Sequence, residues 1–235
     1  MNGRLGILTA MPDEAAALLD AIGPGAERVE YGRRVYTVGT LWGVDAVVVV
    51  ARCGKVAAAT TVTELLVRFG VGAVVCTGVA GGLGEGVGLG DVVVADRLVQ
   101  HDLDARPLWP RHVVPLLEEG FFATDPAWTD RIERAAEGFA GEGVRVHRGL
   151  IASGDQFIHG PAMGRAVLDA LPGALCVEME GAAVAQVCLE YGVGCAVFRA
   201  ISDRADADAP ADFGRSLGSL AASYTRGILM HALKG

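Results

Sequence analysis

The side chains best placed for acid–base chemistry in this chain of 235 residues lie between Cys176 and Asp206. Carboxylates can take up, release or hold a proton, so their value depends on where the fold puts them. A short apolar run, Ala174 to Val177, delivers Glu178, Met179 and Glu180. A second run, Cys195 to Ile201, delivers Ser202 and Asp203. Between them, Gly181 to Tyr191 carries Val184, Val187, Cys188 and Tyr191 at helical spacing. Strand, helix and strand of these lengths predict a βαβ unit with two parallel strands side by side or nearly so. Both acidic clusters would then sit at the carboxyl ends of strands, where α/β sheets hold ligands. The same acids also suit the first turn of a helix, and spacing alone leaves both readings open. Glu14 shares that ambiguity. It follows the apolar strand Leu5 to Ala10 in the turn Met11-Pro12-Asp13-Glu14, where proline suits a first helical position and acids suit the helix dipole.

The elements that must position these groups are legible by periodicity. Ala15 to Ala21 predicts a helix, Val35–Leu41 and Val44–Ala51 a hairpin across Trp42-Gly43, and Val56 to Phe69 a helix entered through Cys53-Gly54-Lys55. Ala73 to Cys76 predicts a buried strand, followed by a glycine-rich turn, Thr77 to Leu83, where backbone must approach a small ligand closely. No G-x-G-x-x-G register fits residues 78 to 90, and Gly54-Lys55 lacks the flanks of a P-loop. Asp91–Ala95 and Val144–Ile151 predict strands, and Pro126–Phe139, Met163–Leu171 and Phe213–Leu233 predict helices. Leu98 to Trp109 reads as an irregular polar loop. It holds His101, Asp102 and Asp104 but no identifiable further metal ligand. Gly214-Arg215-Ser216-Leu217-Gly218 matches a nucleophile elbow in letters only. It has no strand before it, and no acid lies between Ser216 and His231.

Composition narrows the function classes. Hydrophobic residues make up 51% and charged residues 20%, enough for a large core, and with only 6% aromatics that core must be Ala, Val and Leu. The formal charge of −8, with Lys55 and Lys234 the only lysines, argues against nucleic acid or an anionic membrane as partner. No run reaches transmembrane length, and five scattered cysteines (53, 76, 176, 188, 195) fit reduced thiols in a cytoplasm. Strands separated by helices, without repeat or linker, predict a single three-layer α/β domain over residues 1–235.

Several stretches taken together resemble the nucleoside phosphorylase/hydrolase superfamily, and within it the 5′-methylthioadenosine/S-adenosylhomocysteine nucleosidases. They are Gly6 to Glu14, Gly54 to Ala59, Thr77 to Leu83, Gly90 to Val94, Ser153 to Ile158, Val177 to Glu180 and Arg199 to Asp203, in the family's order. The resemblance implies a twisted mixed β-sheet flanked by helices, a homodimer, no cofactor and no metal. It also implies hydrolysis of an N-glycosidic bond with release of adenine from a small purine nucleoside. On this resemblance Glu14 activates the water, Asp203, oriented by Ser202, serves purine N7, and Glu180 grips the ribose hydroxyls with Met179 against the sugar. Phe157 stacks on the base, Ile158 bonds its edge through backbone, and Arg199 holds the water and carboxylates. Met11 and Phe213 wall the 5′-alkylthio group. Val79 stands where the family often has Ser, Cys53 replaces an aliphatic residue, and the loop from Gln100 to Leu116 differs. The chemistry asks for such a set. Adenine leaves well only when N7 is protonated, and a water on the far face of the sugar needs a base. Alternatives are a futalosine or 6-amino-6-deoxyfutalosine nucleosidase, or a purine nucleoside phosphorylase. A phosphorylase needs an arginine near the end of the first strand, where this chain has Met11-Pro12-Asp13-Glu14.

Overall fold

The computed structural model describes residues 3–141, 143–206, 208–216 and 220–234. The first strand, β1 (Arg4–Thr9), is apolar and buried over Leu5 to Thr9, and Pro12 opens the helix α1 (Pro12–Ile22) directly after it. Then come β2 (Glu27–Tyr31), β3 (Arg34–Leu41), β4 (Val44–Val50) and α2 (Lys55–Val67). The next elements are β5 (Val71–Gly82), β6 (Val92–Gln100), β7 (Phe121–Ala123) and α3 (Pro126–Phe139). They are followed by β8 (Val146–Ser153), α4 (Pro161–Ala170), β9 (Ala174–Glu178), α5 (Gly181–Tyr191), β10 (Gly194–Asp203), α6 (Ala209–Ser216) and α7 (Ala222–Lys234).

The mixed sheet is sandwiched between helices. Alternating side chains sort to its two faces, as the two-residue period of a strand requires. Leu8, Val47, Val49 and Val74 pack with Ala58, Val62 and Leu65 of α2 and with Val184 and Cys188 of α5. Leu5, Ile7, Val48 and Val75 pack instead with Leu18 of α1, Ile132 of α3 and Ile228 and Leu229 of α7. The three-layer architecture predicted above is therefore present. No helix among the described residues is long and apolar enough to cross a membrane.

The sheet closes on itself. β5 pairs with β10 in parallel, β10 with β6 antiparallel, β6 with β8 and β8 with β9 in parallel, and β9 returns antiparallel to β5 through Gly81–Val177 and Gly82–Cys176. From this ring, β1, β4, β3 and β2 extend as a flank attached to the first half of β5. Two expectations are corrected. β9 and β10 are not parallel neighbours, since each flanks β5 and they run in opposite senses. Residues 77–82 are not a turn but the second half of β5. The reason is common to both. A Cβ at Gly82 would lie 3.2 Å from Ile201 and one at Gly81 2.8 Å from Asp203, so only glycine lets β5 run on against β10 while β9 closes the ring. Of the expected terminal helix, Phe213–Leu233, the described residues belong to the end of α6 and to α7 with the turn before it, and residues 217–219 lie outside the described residues. The elbow-like motif begins on α6 at Gly214, and Leu217 and Gly218 lie outside the described residues.

Candidate active site

Closure brings strand ends together from two directions. β1, β5 and β10 present Glu14, Val79 and Asp203 from one side, while β8 and β9 run the other way and present Ser153 and Glu178. Between them lies a cavity of about 320 Å³ lined by Met11, Glu14, Val79, Phe157, Met179, Glu180, Ser202, Asp203 and Phe213, among others. Nine of the eleven residues expected at the site therefore meet there. The other two, Ile158 and Arg199, are buried just behind it.

Glu14 is the third helical residue of α1, and its side chain turns back over the helix start. Its Oε2 accepts the N–H groups of Ala10 and Met11, both at 2.9 Å, and its Oε1 accepts that of Val79 at 3.2 Å. The helix-start reading and the functional one thus describe the same carboxylate. Burial raises its pKa above the ordinary value, and the Arg199 charge and the three N–H groups only partly offset this. Gly78 makes the arrangement possible, because a Cβ there would stand 2.6 Å from Glu14 Oε1.

Glu178, Glu180 and Arg199 form a buried cluster. Arg199 Nη2 donates to Glu178 and, at 3.5 Å, to Glu180 Oε2. Glu178 also accepts the Ser153 hydroxyl and the N–H groups of Glu180 and Gly181 at 2.8–3.0 Å, at the start of α5. Burial pushes the Glu178 pKa up, but Arg199 and these donors outweigh it and leave a net lowered value. Glu180 has one backbone donor, Gly54 N–H at 2.9 Å, and its pKa is pushed up to about 7 by burial and by Glu178. Two carboxylates in one cluster are thus driven apart in acidity. Glu178 and Ser153 were not assigned roles from sequence. The available signal was that Glu178 ends a strand as Asp203 does, two residues before Glu180.

Asp203 ends β10. Ser202 Oγ donates to its Oδ2 at 2.8 Å and Ala205 N–H to its Oδ1 at 2.9 Å, while burial raises its pKa. Phe157 meets Phe213 edge to face, with centroids 5.7 Å apart. The Ile158 side chain packs into an apolar cluster with Val99, Leu150 and Val167. The loop carrying Phe157 is tied to the start of α2: Lys55 Nζ meets Asp102 at 2.6 Å, Asp102 accepts Asp155 N–H at 2.8 Å, and Asp155 accepts Lys55 N–H at 2.8 Å. Asp102, expected in a polar loop, is therefore part of the scaffold around Gly54 and Glu180. Among the described residues, no cluster of three His, Cys, Asp or Glu side chains could hold a metal.

Comparison with known proteins agrees with this geometry. The profile of the phosphorylase superfamily matches residues 4–230. A 5′-methylthioadenosine/S-adenosylhomocysteine nucleosidase of Mycobacterium bovis is 36% identical, over 96% of this chain and 95% of that protein. An aminodeoxyfutalosine nucleosidase of Helicobacter pylori is 35% identical, over 91% and 90%. A 5′-methylthioadenosine/S-adenosylhomocysteine nucleosidase from Neisseria meningitidis, solved with methylthio-immucillin-A, superposes with a TM-score of 0.93 at 32% identity, covering 99% of both chains.

Proposed function

The chain belongs to the phosphorylase superfamily and, within it, to the family of 5′-methylthioadenosine/S-adenosylhomocysteine nucleosidases, and from that premise we propose that it hydrolyses the N-glycosidic bond of such nucleosides and releases adenine. The observation that carries this reading is the pair of buried carboxylates, Glu14 and Asp203, on one cavity, with raised pKa values and no ion-pair partner within hydrogen-bonding distance among the described residues. Glu14 takes a proton from water as its oxygen bonds to the anomeric carbon. The bond to N9 breaks, and its electron pair is drawn into the purine as Asp203 protonates N7. Glu180 accepts the ribose hydroxyls with Met179 against the sugar, Phe157 stacks on the base, and the backbone of Ile158 meets the base edge. Arg199 holds Glu178 and Glu180 in place, and Ser202 orients Asp203. Met11 and Phe213 wall the 5′ substituent. Preorganised carboxylates also stabilise the positive charge that grows on the sugar.

Water rather than phosphate is the nucleophile. Four carboxylates, Glu14, Glu178, Glu180 and Asp203, line the cavity, and Arg199 is already spent on Glu178 and Glu180, so an anion entering there is repelled. Adenine release at full rate in phosphate-free buffer, with free ribose sugar as coproduct, is the expected result. A requirement for phosphate, with a ribose 1-phosphate product, would overturn it. A second reading, aminodeoxyfutalosine as substrate, is favoured by the Helicobacter pylori relative, and kcat/KM across a substrate panel decides between them. The exposed apolar side chains Val56 and Val67 on α2 and Leu189 and Tyr191 on α5 support a homodimer, which light scattering would test. Buried free thiols at Cys76, Cys176, Cys188 and Cys195 support a cytoplasmic setting.

A further inference from the structure

The start of α2 seats two carboxylates at once. Gly54 N–H donates to Glu180 Oε1 at 2.9 Å, and the next amide, Lys55 N–H, donates to Asp155 Oδ1 at 2.8 Å. Glu180 follows β9 and Asp155 follows β8, so one helix end fixes where two neighbouring strands deliver their acids. Gly54 sits at φ of 100°, and a Cβ there would stand 3.1 Å from Asp155 Oδ1, so this close approach needs glycine. Glu180 has little else to hold it. Its Oε2 lies 3.5 Å from Arg199 Nη2, at the limit of a hydrogen bond, and that same Nη2 is committed to Glu178. The placement of Glu180 therefore follows the placement of the Gly54 amide.

A triangle of residues keeps that amide in place. Lys55 Nζ meets Asp102 Oδ1 at 2.6 Å, Asp102 Oδ2 accepts Asp155 N–H at 2.8 Å, and Asp155 returns to Lys55 N–H. The three pairs are 47, 53 and 100 residues apart in the chain, and they meet just beyond the ends of β6 and β8 and at the first turn of α2. The strand ends are already joined without them, His101 N–H to Ser153 O at 2.9 Å and Gly154 N–H to Glu178 O at 3.0 Å. Nor is the triangle an ordinary surface ion pair. The Lys55 and Asp102 side chains are only 17% and 18% exposed, so water and salt screen them weakly. Burial raises the pKa of Asp102, but Lys55 and the Asp155 N–H outweigh it and leave a net lowered value, so Asp102 is charged at neutral pH. The His101 ring fills the space that a Cβ at Gly154 would need, which backs the segment leading to Phe157 from the other side.

We propose that Lys55, Asp102 and Asp155 are positioning residues for the sugar: together they hold the Gly54 amide against Glu180, and so set how well the enzyme tells a ribose from a sugar that lacks a hydroxyl. The assignment rests on the nucleosidase reading, in which Glu180 accepts the ribose hydroxyls, and adds to it three residues that do not line the cavity. Glu14 and Asp203 keep their own hydrogen-bond partners when the triangle is broken. Its loss is therefore felt in KM more than in kcat.

Two substrates measure this: 5′-methylthioadenosine and its 3′-deoxy counterpart. The quantity read is the ratio of their kcat/KM values, which cancels any general loss of folded enzyme. Asp102→Ala and Lys55→Met should each lower the ratio about tenfold, the size of one hydrogen bond to a charged group, chiefly by raising KM for the ribose substrate. Asp102→Asn keeps an oxygen for the Asp155 N–H and should recover part of the ratio. Asp104→Asn, on the same loop but paired with Arg106 outside the triangle, should leave it at the wild-type value. Should Asp102→Ala not fold, Lys55→Met, which keeps both acids and the Lys55 amide, carries the decision. An unchanged ratio, even with kcat/KM lowered equally for both substrates, means that the triangle only holds the fold together and overturns the assignment. An equal fall of the ratio in Asp104→Asn overturns it as well. Absence of adenine release from both substrates by the unaltered chain overturns the nucleosidase reading itself, and the assignment with it.

Discussion

At the scale of single residues, the two carboxylates proposed to react, Glu14 and Asp203, differ in what a conservative change removes. Glu14→Gln keeps one oxygen to accept backbone N–H groups but cannot take a proton, so kcat should fall by about a hundredfold or more, the usual loss for a general base. Wild-type turnover in that variant would reduce Glu14 to a helix-start acid. Asp203→Asn should lower kcat sharply on adenine nucleosides, yet much less on a nitrophenyl riboside, whose leaving group departs without a proton. Equal losses on both substrates would mean that Asp203 serves only Ala205 N–H and the loop it caps. Glu180 gives a stability test whose sign follows from its pKa of about 7 against an ordinary 4.5. The folded state holds that proton more tightly than the unfolded chain, so stability falls as pH rises from about 4.5 through about 7. Glu180→Gln should therefore raise Tm at pH 8 relative to wild type, with little change near pH 4 and loss of ribose affinity at both. A lower Tm at pH 8 would contradict a strained carboxylate. The meeting of these acids at one cavity was open to reading because they stand at strand ends in a recognisable order. Glu178 was passed over because its role is to neutralise Arg199, a contact between residues 21 apart that no spacing rule reports.

At the scale of elements, the glycine-rich half of β5 is the part most sharply constrained. Its glycines were read as a turn that approaches a ligand, whereas they are strand residues that let the backbone lie against carboxylates: Gly78 against Glu14 and Gly81 against Asp203. Gly78→Ala should push Glu14 aside and lower kcat by about a hundredfold, the penalty for a displacement near 1 Å. Far-UV circular dichroism should be unchanged. Near-normal activity would show that Glu14 tolerates the added methyl group. The helices were the most legible elements, with α3 and α5 expected over their observed spans, since a long amphipathic period is a local property. Strand partners were not legible. β2 was missed because its side chains are largely exposed and charged, and β7 because it spans three residues. The sense of β9 relative to β10 depends on ring closure, which is a property of five strands at once.

At the scale of the whole molecule, the ring and its flank divide the labour. The flank carries the first carboxylate, while the ring carries the remaining acids and the arginine that orders them. The ring also differs from the flank in how it can come apart. A strand hydrogen-bonded on both sides within a closed circuit has no free margin from which to fray, so β5 and β10 must open together or not at all. β2, paired only with β3 among the described residues, can loosen alone. In heavy water the amides of Val197 to Ile201 should then keep their protons longest and lose them at one common rate, set by global unfolding. Those of Arg28 to Glu30 should be gone early. Early deuteration at Phe198 or Ala200 would mean that the circuit breathes, and that the acids it carries are held less firmly than their burial implies.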